Sequence, residues 1–404
     1  MRGVMRGLSV VIFALLQVAC ANVPKPSPIL LKMAQNGVNS DIAFAKISFD
    51  ALPNWGNTDV KAARIALTKS CTQTMALGPN AFLSARGQYA GKSGQWAKVC
   101  FDAQNPQIAD SDFWQNGFTP YKVTTNAALF GRLTSYYEPV INASLTPTDI
   151  FSEPLFSKPA DLVTIELGGF DGTLAGKKIV GRMINGVFTP YLPRAEINTS
   201  NATPIAYAKI GDALSVQVQG SGRLQLPDGR QVRIAHTATN GRPFGSTGQE
   251  LIRRGILAPN AASMNNLMQW FETAEPKLAR EVINANPRTV FFEFVEIKDV
   301  SEGPKGSSGL PLTAGGSLAV DPNIHPYGVP IFISAFNSRV AVAPKTLTRL
   351  VVSQDSGGAI KGPIRGDLFW GTGKQAGIDG GNVNYDSNWW VLLPNEVNPF
   401  TANK

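Results

Sequence analysis

The alternation of apolar and polar positions divides the chain into a short helical region, a middle region of strands and a strand-rich C-terminal region. Residues 59–71 predict a helix, because apolar side chains recur along one of its sides. Between residues 141 and 254, short runs of alternating polarity are separated by turn sequences such as Asp171-Gly172, which is typical of antiparallel strands. The runs predicted as strands are 162–167, 177–180, 214–218 and 232–235.

Two helices separate this middle region from the C-terminal strands. Ser263 predicts the N-cap of a helix that reaches about residue 273, and Pro276 opens a second helix that reaches about residue 284. Residues 290–295 predict a strand, and residues 310–393 predict further strands joined by glycine and proline turns. The pattern indicates a mainly β protein with a few helices, and its length suits two domains.

The N-terminus has the pattern of a secretory signal peptide. Arg2 and Arg6 precede an apolar run from residue 8 to 16, which is too short to span a membrane, and small residues then lead to Cys20. We predict a signal peptide at residues 1–19, lipidation of Cys20 and a lipidated tether at residues 20–40. The alternative is a plain signal peptide cleaved after Ala19. No aspartate follows Cys20, which favours the outer membrane, facing the periplasm, in a bacterial cell envelope.

The amino-acid composition limits the classes of binding partner and of catalytic mechanism that the chain can have. Removing residues 1–19 takes away two arginines and no acid, so the formal charge falls from +8 to +6. This net positive charge suits binding to an acidic polymer, or it belongs to an ordinary solvated surface without a partner. Binding to nucleic acid is not predicted, because the basic residues are scattered along the chain. With two histidines in the chain, we predict no metal site, no cofactor and no histidine-based mechanism. Cys71 and Cys100 of an exported chain predict one disulfide.

Residues 351–370 contain the main candidate catalytic residues, because Asp355 and Asp367 flank several glycines and Lys361 there. Glycine lets the backbone approach a ligand closely. Apolar flanks predict that both aspartates lie at the ends of buried strands, where the pKa of a carboxyl can rise towards neutral pH. A glycine-rich turn with solvated aspartates is the alternative that these residues leave open.

Several longer segments in order carry a resemblance to a known family. The chain resembles the membrane-bound lytic murein transglycosylase A family, whose C-terminal part is the 3D domain, named for three aspartates. The matching segments are 52–55, 70–71, 96–100, 133–139, 219–229, 240–243, 286–292, 310–322 and 351–370. Ser135 departs from the family, which usually has glycine before the paired tyrosines, and this leaves the local backbone there undefined.

The resemblance implies a discontinuous catalytic domain with a second domain inserted in it. Residues 41–140 and 256–404 would form the first, with a six-stranded double-psi β-barrel, the 3D domain, in about 310–395. Residues 141–255 would form an inserted smaller β-barrel domain. A groove between the two would bind the substrate.

The resemblance also implies a reaction and its catalytic residues. The enzymes of this family cleave the β-1,4 bond between N-acetylmuramic acid and N-acetylglucosamine in peptidoglycan without water, and form 1,6-anhydromuramic acid. Asp367 would act first as acid and then as base, with Asp355 nearby to tune it. Lys361 would hold Asp355 ionised. Asp321, the third aspartate, would support them or would cap the turn before Pro322.

Sugar contacts are expected from both walls of the groove. The expected substrate-binding residues are Thr134, Tyr136, Tyr137, Glu138, Gly222 and Arg223. Core packing of one tyrosine and a hairpin turn at the glycines are the alternatives. His325 is expected to be a solvent-exposed turn residue without a role.

Two other functions remain as alternatives. One is a hydrolytic glycanase with a second essential carboxylate, and the other is a non-catalytic murein-binding lipoprotein. The expected partners are peptidoglycan glycan strands, an outer-membrane lipid anchor and cell-wall synthase or divisome proteins.

Overall fold

A computed structural model describes residues 30–32, 41–126, 128–259, 261–338, 346–381 and 383–400. The predicted signal peptide, Cys20 and most of the tether lie outside the described residues. Within those residues, no helix has the length and apolar character needed to cross a membrane.

The helices lie mostly outside the sheets. The α-helices are α1 Lys61–Ala76, α2 Ala97–Ala103, α3 Asp110–Gly117, α4 Ile210–Gln219, α5 Thr247–Arg253, α6 Met264–Thr273, α7 Pro276–Asn284 and α8 Lys374–Gly380. Short 3-10 helices occur at Phe49–Ala51, Trp55–Asn57, Gln88–Ala90, Ser93–Trp96, Leu167–Gly169, Gly172–Leu174 and Arg194–Glu196.

Strands make up most of the regular structure. They are β1 Leu30–Lys32, β2 Asp41–Lys46, β3 Phe118–Thr125, β4 Gly131–Glu138, β5 Val140–Ser144, β6 Glu153–Phe156, β7 Val163–Glu166, β8 Lys178–Ile184, β9 Val187–Pro190, β10 Pro204–Ala208, β11 Ser221–Gln225, β12 Gln231–Thr239, β13 Val290–Val295, β14 Ser317–Val320, β15 Pro330–Phe336, β16 Thr346–Ser356, β17 Arg365–Thr372 and β18 Asn384–Pro394. The predicted mainly β fold is confirmed.

Six strands close into a barrel. Their order is β4-β17-β14-β16-β15-β18, and β18 also pairs with β4, which closes the ring. The remaining strands of this sheet, β3, β2 and β1, extend it outward from β18. The barrel strands carry long buried apolar runs, such as Ile331, Phe332 and Ile333 on β15, because both faces of these strands are covered. The expected six-stranded barrel is therefore present, but it is not confined to the expected residues 310–395, because its strand β4 comes from Gly131–Glu138.

A second sheet of six strands has the order β13-β12-β11-β5-β10-β6, and its two edge strands approach each other. A small three-stranded sheet, β7-β8-β9, lies beside it. Helices α5, α6 and α7 pack together with α4 around a separate apolar cluster that includes Leu214, Phe271 and Val282. The chain passes from the barrel to this sheet at Pro139, between β4 and β5, and returns after β13.

The strand predicted at 214–218 is wrong, because these residues belong to helix α4. Ala213 and Val216 pack on the six-stranded sheet, whereas Leu214 packs on the neighbouring helices. A helix covered on two sides has a nearly continuous apolar run, which periodicity cannot separate from a strand. Gly220, with φ of 82°, ends the helix in the left-handed conformation that glycine adopts at little cost.

The other predicted helices are present at nearly the expected positions. The Ser263 side chain accepts a hydrogen bond from the Asn266 N–H at the start of α6, and Pro276 occupies the first turn of α7. Helix α1 continues beyond the predicted end, as far as Ala76. Cys71 on α1 and Cys100 on α2 form a disulfide that holds these two helices together.

Candidate active site

Asp355 and Asp367 lie on either side of the same residue in the barrel. Ala319 of β14 pairs with Asp355 of β16 on one side and with Asp367 of β17 on the other. Residues paired directly across strands project from the same face, and neighbouring strands lie about 4.8 Å apart. The two carboxylates therefore project from one level of the barrel, separated by a single strand.

Asp367 is the carboxyl with the more perturbed environment. Burial raises its pKa above the ordinary 3.8, and the Asp355 charge adds to the rise, although a Thr134 hydrogen bond and the Arg365 charge oppose it. The Thr134 hydroxyl donates to Asp367 Oδ1 at 2.6 Å and accepts from the Arg365 guanidinium at 2.9 Å. Asp367 is thus poised to hold a proton at a higher pH than a solvated aspartate.

Asp355 accepts four hydrogen bonds. Oδ1 accepts from the backbone N–H and the hydroxyl of Ser307 and from the N–H of Ser356, each at 2.8 Å. Oδ2 accepts from the Tyr136 hydroxyl at 2.6 Å. The donors fix the position of this carboxylate. Ser307 lies in a loop 48 positions before Asp355, so no local sequence pattern indicates this contact.

The paired tyrosines have different surroundings. Tyr136 lines the cavity beside Asp355 and packs on Phe369 with ring centroids 5.4 Å apart. Burial, followed by the Asp355 charge, raises the pKa of Tyr136 well above 10, so its hydroxyl stays a donor. Tyr137 packs on helix α8, where a Cβ at Gly377 would lie 2.8 Å from its ring. Tyr136 is therefore the tyrosine that reaches both the cavity and the aspartates.

The expected sugar contacts from Glu138 and Arg223 need correction, because both side chains are buried in an internal ion cluster. Glu138 is fully buried and accepts from Arg223 at 2.9 Å, from Arg233 at 2.6 Å and from the Thr372 hydroxyl at 2.8 Å. The two arginines also donate to the carbonyls of Val300 and Glu302. This cluster joins β4, both arginine-bearing strands and the returning chain where the barrel meets the second sheet.

Gly222 likewise serves packing and not sugar binding. A Cβ at this position would lie 2.6 Å from the Val216 side chain, so glycine allows α4 to approach β11 closely.

Asp321 caps its own turn, as one of the two expectations proposed. Its Oδ1 accepts from the backbone and side chain of Asn323, and its Oδ2 accepts from the Gly362 N–H. The Lys361 ammonium lies 4.0 Å from Asp321 Oδ1. The expected partnership of Lys361 with Asp355 is therefore replaced by one with Asp321.

His325 is buried, contrary to the expectation of an exposed turn residue. Its Nδ1 lies 2.7 Å from the Tyr89 hydroxyl and its Nε2 lies 2.7 Å from the Pro363 carbonyl oxygen. Burial lowers the pKa of His325 to about 4, so the ring is neutral near pH 7. His325 ties the Asp321 turn to the loop that precedes β17, which is a structural role near the aspartates.

Gln354 fixes the strand that carries Asp355. Its fully buried amide donates to the Ala66 carbonyl and to the Ser70 hydroxyl of α1, each at 2.8 Å, and accepts from the Ser317 hydroxyl at 2.5 Å.

A cavity of about 1090 Å³ opens between the barrel and the second sheet. Its barrel wall includes Tyr136, Asp355 and the glycines after β16. Its opposite wall includes His236, Phe244 and Arg288. None of the three is predicted as a site residue from the sequence, although Arg288 lies in the matching segment 286–292 and Phe244 follows the matching segment 240–243. Within the described part of the chain, no cluster of three or more acidic, histidine or cysteine side chains could hold a metal ion.

Comparisons with known proteins agree with this architecture. Residues 132–293 match the MltA specific insert domain and residues 316–393 match the 3D domain, together more than half of the chain. Membrane-bound lytic murein transglycosylase A of Escherichia coli (strain K12) is 29% identical over 319 residues, which cover 76% of this chain and 77% of that protein.

Solved structures show the same likeness over most of the chain. The structure of MltA from Neisseria gonorrhoeae, monoclinic form, has a TM-score of 0.70 and 27% identity, covering 88% of this chain and 93% of that one. A membrane-bound lytic murein transglycosylase from Agrobacterium tumefaciens has a TM-score of 0.69 and 29% identity, covering 87% and 98%.

A closed barrel that carries two neighbouring aspartates, of which Asp355 lines a cavity, with a second sheet inserted into it, defines a protein composed of a 3D domain and an MltA-type insert. The chain belongs to the MltA family.

Proposed function

We propose that this chain is a peptidoglycan lytic transglycosylase that cleaves the bond between N-acetylmuramic acid and N-acetylglucosamine without water. The observation that carries the proposal is the placement of Asp355 and Asp367 on either side of Ala319, with Thr134 bonded to Asp367 and Tyr136 bonded to Asp355. Relatives named lytic murein transglycosylase A support the substrate class. The cavity between the two sheets is large enough for several sugar rings.

In the proposed mechanism, Asp367 first donates a proton to the substrate and then accepts one from it. The protonated carboxyl donates to the glycosidic oxygen as the C1–O bond breaks, and the positive charge that develops at C1 lies near the Asp355 carboxylate. The C6 hydroxyl of the same muramic acid then attacks C1 and gives its proton to Asp367. The products are a 1,6-anhydromuramic acid end and a free hydroxyl on the departing sugar, and Asp367 is protonated again.

One acid suffices because the nucleophile belongs to the substrate. A hydrolase needs a second carboxylate to activate water or to form a covalent intermediate. An attacking hydroxyl on the same ring makes the step intramolecular, which offsets several kcal/mol of the barrier. Asp355, with all four donors in place, would remain an electrostatic partner, and Tyr136 would hold it there.

The remaining organisation of the enzyme is proposed from the same resemblance. Residues 41–140 would form the first part of the catalytic domain. The inserted domain would begin at residue 141 and extend beyond the expected residue 255 to the end of β13 at Val295, because β13 pairs with β12 in the second sheet. The chain from residue 296 onward would complete the catalytic domain. Thr134 and Tyr136 would belong to the sugar-binding wall, whereas Tyr137 packs on α8. Asp321 and Lys361 would support the turn. Lipidation of Cys20 would anchor the protein in the outer membrane. The relatives are themselves named membrane-bound enzymes, which supports a place in the envelope.

Mass spectrometry of the muropeptides released from purified sacculi tests the proposal. Anhydro ends are expected, whereas hydrated reducing ends would identify a hydrolase and no release would identify a binding protein. Asp367→Asn should lose activity at least a hundredfold. Asp112→Asn, an exposed aspartate of α3, is the matched control and should keep full activity. Full activity of Asp367→Asn would refute the assignment of the acid.

A further inference from the structure

The wall of the cavity opposite Asp355 presents an arginine that the proposed mechanism does not use. Arg288 lies just before β13, and its half-buried side chain lines the cavity together with Phe244 and His236. Phe244 is 58% exposed, which leaves part of its ring open to a ligand in the cavity.

One buried side chain holds the backbone at both Arg288 and the residue after Phe244. The amide oxygen of Asn286 accepts from the Arg288 N–H at 3.1 Å and from the Gly245 N–H at 2.9 Å. The Arg288 carbonyl accepts in turn from the Arg194 guanidinium at 2.6 Å. The two loops are thus fixed before any ligand arrives, which lowers the entropic cost of binding.

A second asparagine braces the same loops. Asn240 is fully buried, its Nδ2 donates to the carbonyls of Leu192 and Pro287, and its Oδ1 accepts from the Thr289 N–H. These contacts account for the segments 240–243 and 286–292, which the catalytic mechanism leaves unexplained.

Among the described residues, the guanidinium of Arg288 has no hydrogen-bond or ion-pair partner, although the carboxylate of Glu293 lines the same cavity. Burial lowers the pKa of Arg288, which reflects the cost of keeping this charge without a counter-ion. An arginine fork matches a carboxylate with two parallel hydrogen bonds.

His236 lies within electrostatic reach of both Arg288 and Asp355. Burial, followed by the Arg288 charge, lowers the pKa of His236, so the neutral ring offers one N–H donor at pH 7, and the Asp355 charge opposes this shift. Asp355, His236 and Arg288 all line the same cavity, and the charges of Asp355 and Arg288 both act on His236.

We propose that Arg288, with Phe244 and His236 beside it, forms a subsite for a carboxylate of the acidic peptide that muramic acid carries in peptidoglycan. The proposal rests on the proposed function, because it places the sugar chain along the aspartates and the peptide across the cavity. Arg288 is a specificity-determining residue in this arrangement and takes no part in the proton transfers.

The test compares glycan strands that carry their peptides with the same strands after enzymatic removal of the peptides. Arg288→Gln should lower the ratio of kcat/KM for peptide-bearing over peptide-free strands roughly tenfold. Arg288→Lys, which keeps the charge, should restore part of the ratio. Arg230→Gln, an exposed arginine in the turn between β11 and β12, is the control and should leave the ratio unchanged. An equal loss on both substrates, or no loss, would overturn the proposal.

A binding measurement separates this inference from the catalytic one. Calorimetry with the Asp367→Asn protein should show roughly tenfold tighter binding of a muropeptide with free carboxylates than of its amidated form, and the added change Arg288→Gln should abolish the difference. Equal binding of both forms would refute the subsite even if the enzyme releases anhydro products. Failure of the wild-type protein to release products would refute the proposed function and leave the binding comparison decisive.

Discussion

Thr134 donates its hydroxyl hydrogen to Asp367 at 2.6 Å, and the two residues are partners in the pairing of β4 with β17. The contact joins a residue near the start of the insert to the proposed acid across 233 positions of sequence. It also lowers the pKa of Asp367, against the burial that raises it.

Thr134→Val should move the pH dependence of activity to higher pH. Loss of the donor removes an influence that lowers the pKa of Asp367, so this carboxyl keeps its proton to a higher pH. Because the acid must be protonated to act, activity falls as pH rises through that pKa. The alkaline limb of kcat against pH should therefore shift upward in the variant, while Thr134→Ser should keep the wild-type profile. A downward shift in Thr134→Val would contradict the role of this hydrogen bond.

Tyr136→Phe should reduce kcat about tenfold with little change in KM. The substitution removes the donor to Asp355 Oδ2 and keeps the ring packed on Phe369. Tyr137→Phe is the matched control, because Tyr137 packs on α8. Steady-state kinetics on purified glycan strands measure both, and equal effects of the two substitutions would show that Tyr136 has no special role.

Glu138→Gln should destabilise the protein by about 3–5 kcal/mol. The change leaves Arg223 and Arg233 buried without the charge that both contact. Glu166→Gln removes an exposed partner of Lys178, 3.5 Å away, and should cost less than about 1 kcal/mol. Urea denaturation followed by circular dichroism gives both values, and a loss below 1 kcal/mol for Glu138→Gln would contradict the structural role.

Acidification should destabilise the protein through His325. The pKa of this ring is lowered from 6.5 to about 4 in the folded state, so between these values the unfolded chain binds the additional proton. Its stabilising contribution is complete above pH 6.5 and decreases by about 3 kcal/mol as pH falls to about 4. The free energy of unfolding of His325→Gln should be lower at pH 7 and should change less between pH 6.5 and 5. Asp112→Asn, a change at an exposed residue of α3, provides the control, and an unchanged slope in His325→Gln would rule out this linkage.

Much of the fold followed from the sequence because its signals are local. Ser263 and Pro276 place helix starts through the hydrogen bonds and backbone angles of single turns. The pattern at residues 214–218 predicts a strand where the structure has helix α4, because the burial of α4 on two sides depends on α6 and α7, which lie far along the chain.

The site was less predictable because its members depend on long-range pairing. Tyr136 and Glu138 are two residues apart on one strand, which predicts a common face. The pairing of β4 with β17 shifts register between Phe369 and Thr372, and Glu138 meets buried arginines from two other strands. No local pattern reveals such partners, nor the burial of His325 against Tyr89.

The buried cluster around Glu138 also limits how the two walls of the cavity can move. Both chain crossings between the sheets meet there, one at Pro139 and the other at the carbonyls of Val300 and Glu302. A rotation of the walls would therefore have its axis at this cluster. The rim farthest from Glu138 would gain the most width from a small angle, so a glycan strand would enter more readily at that rim than at the axis.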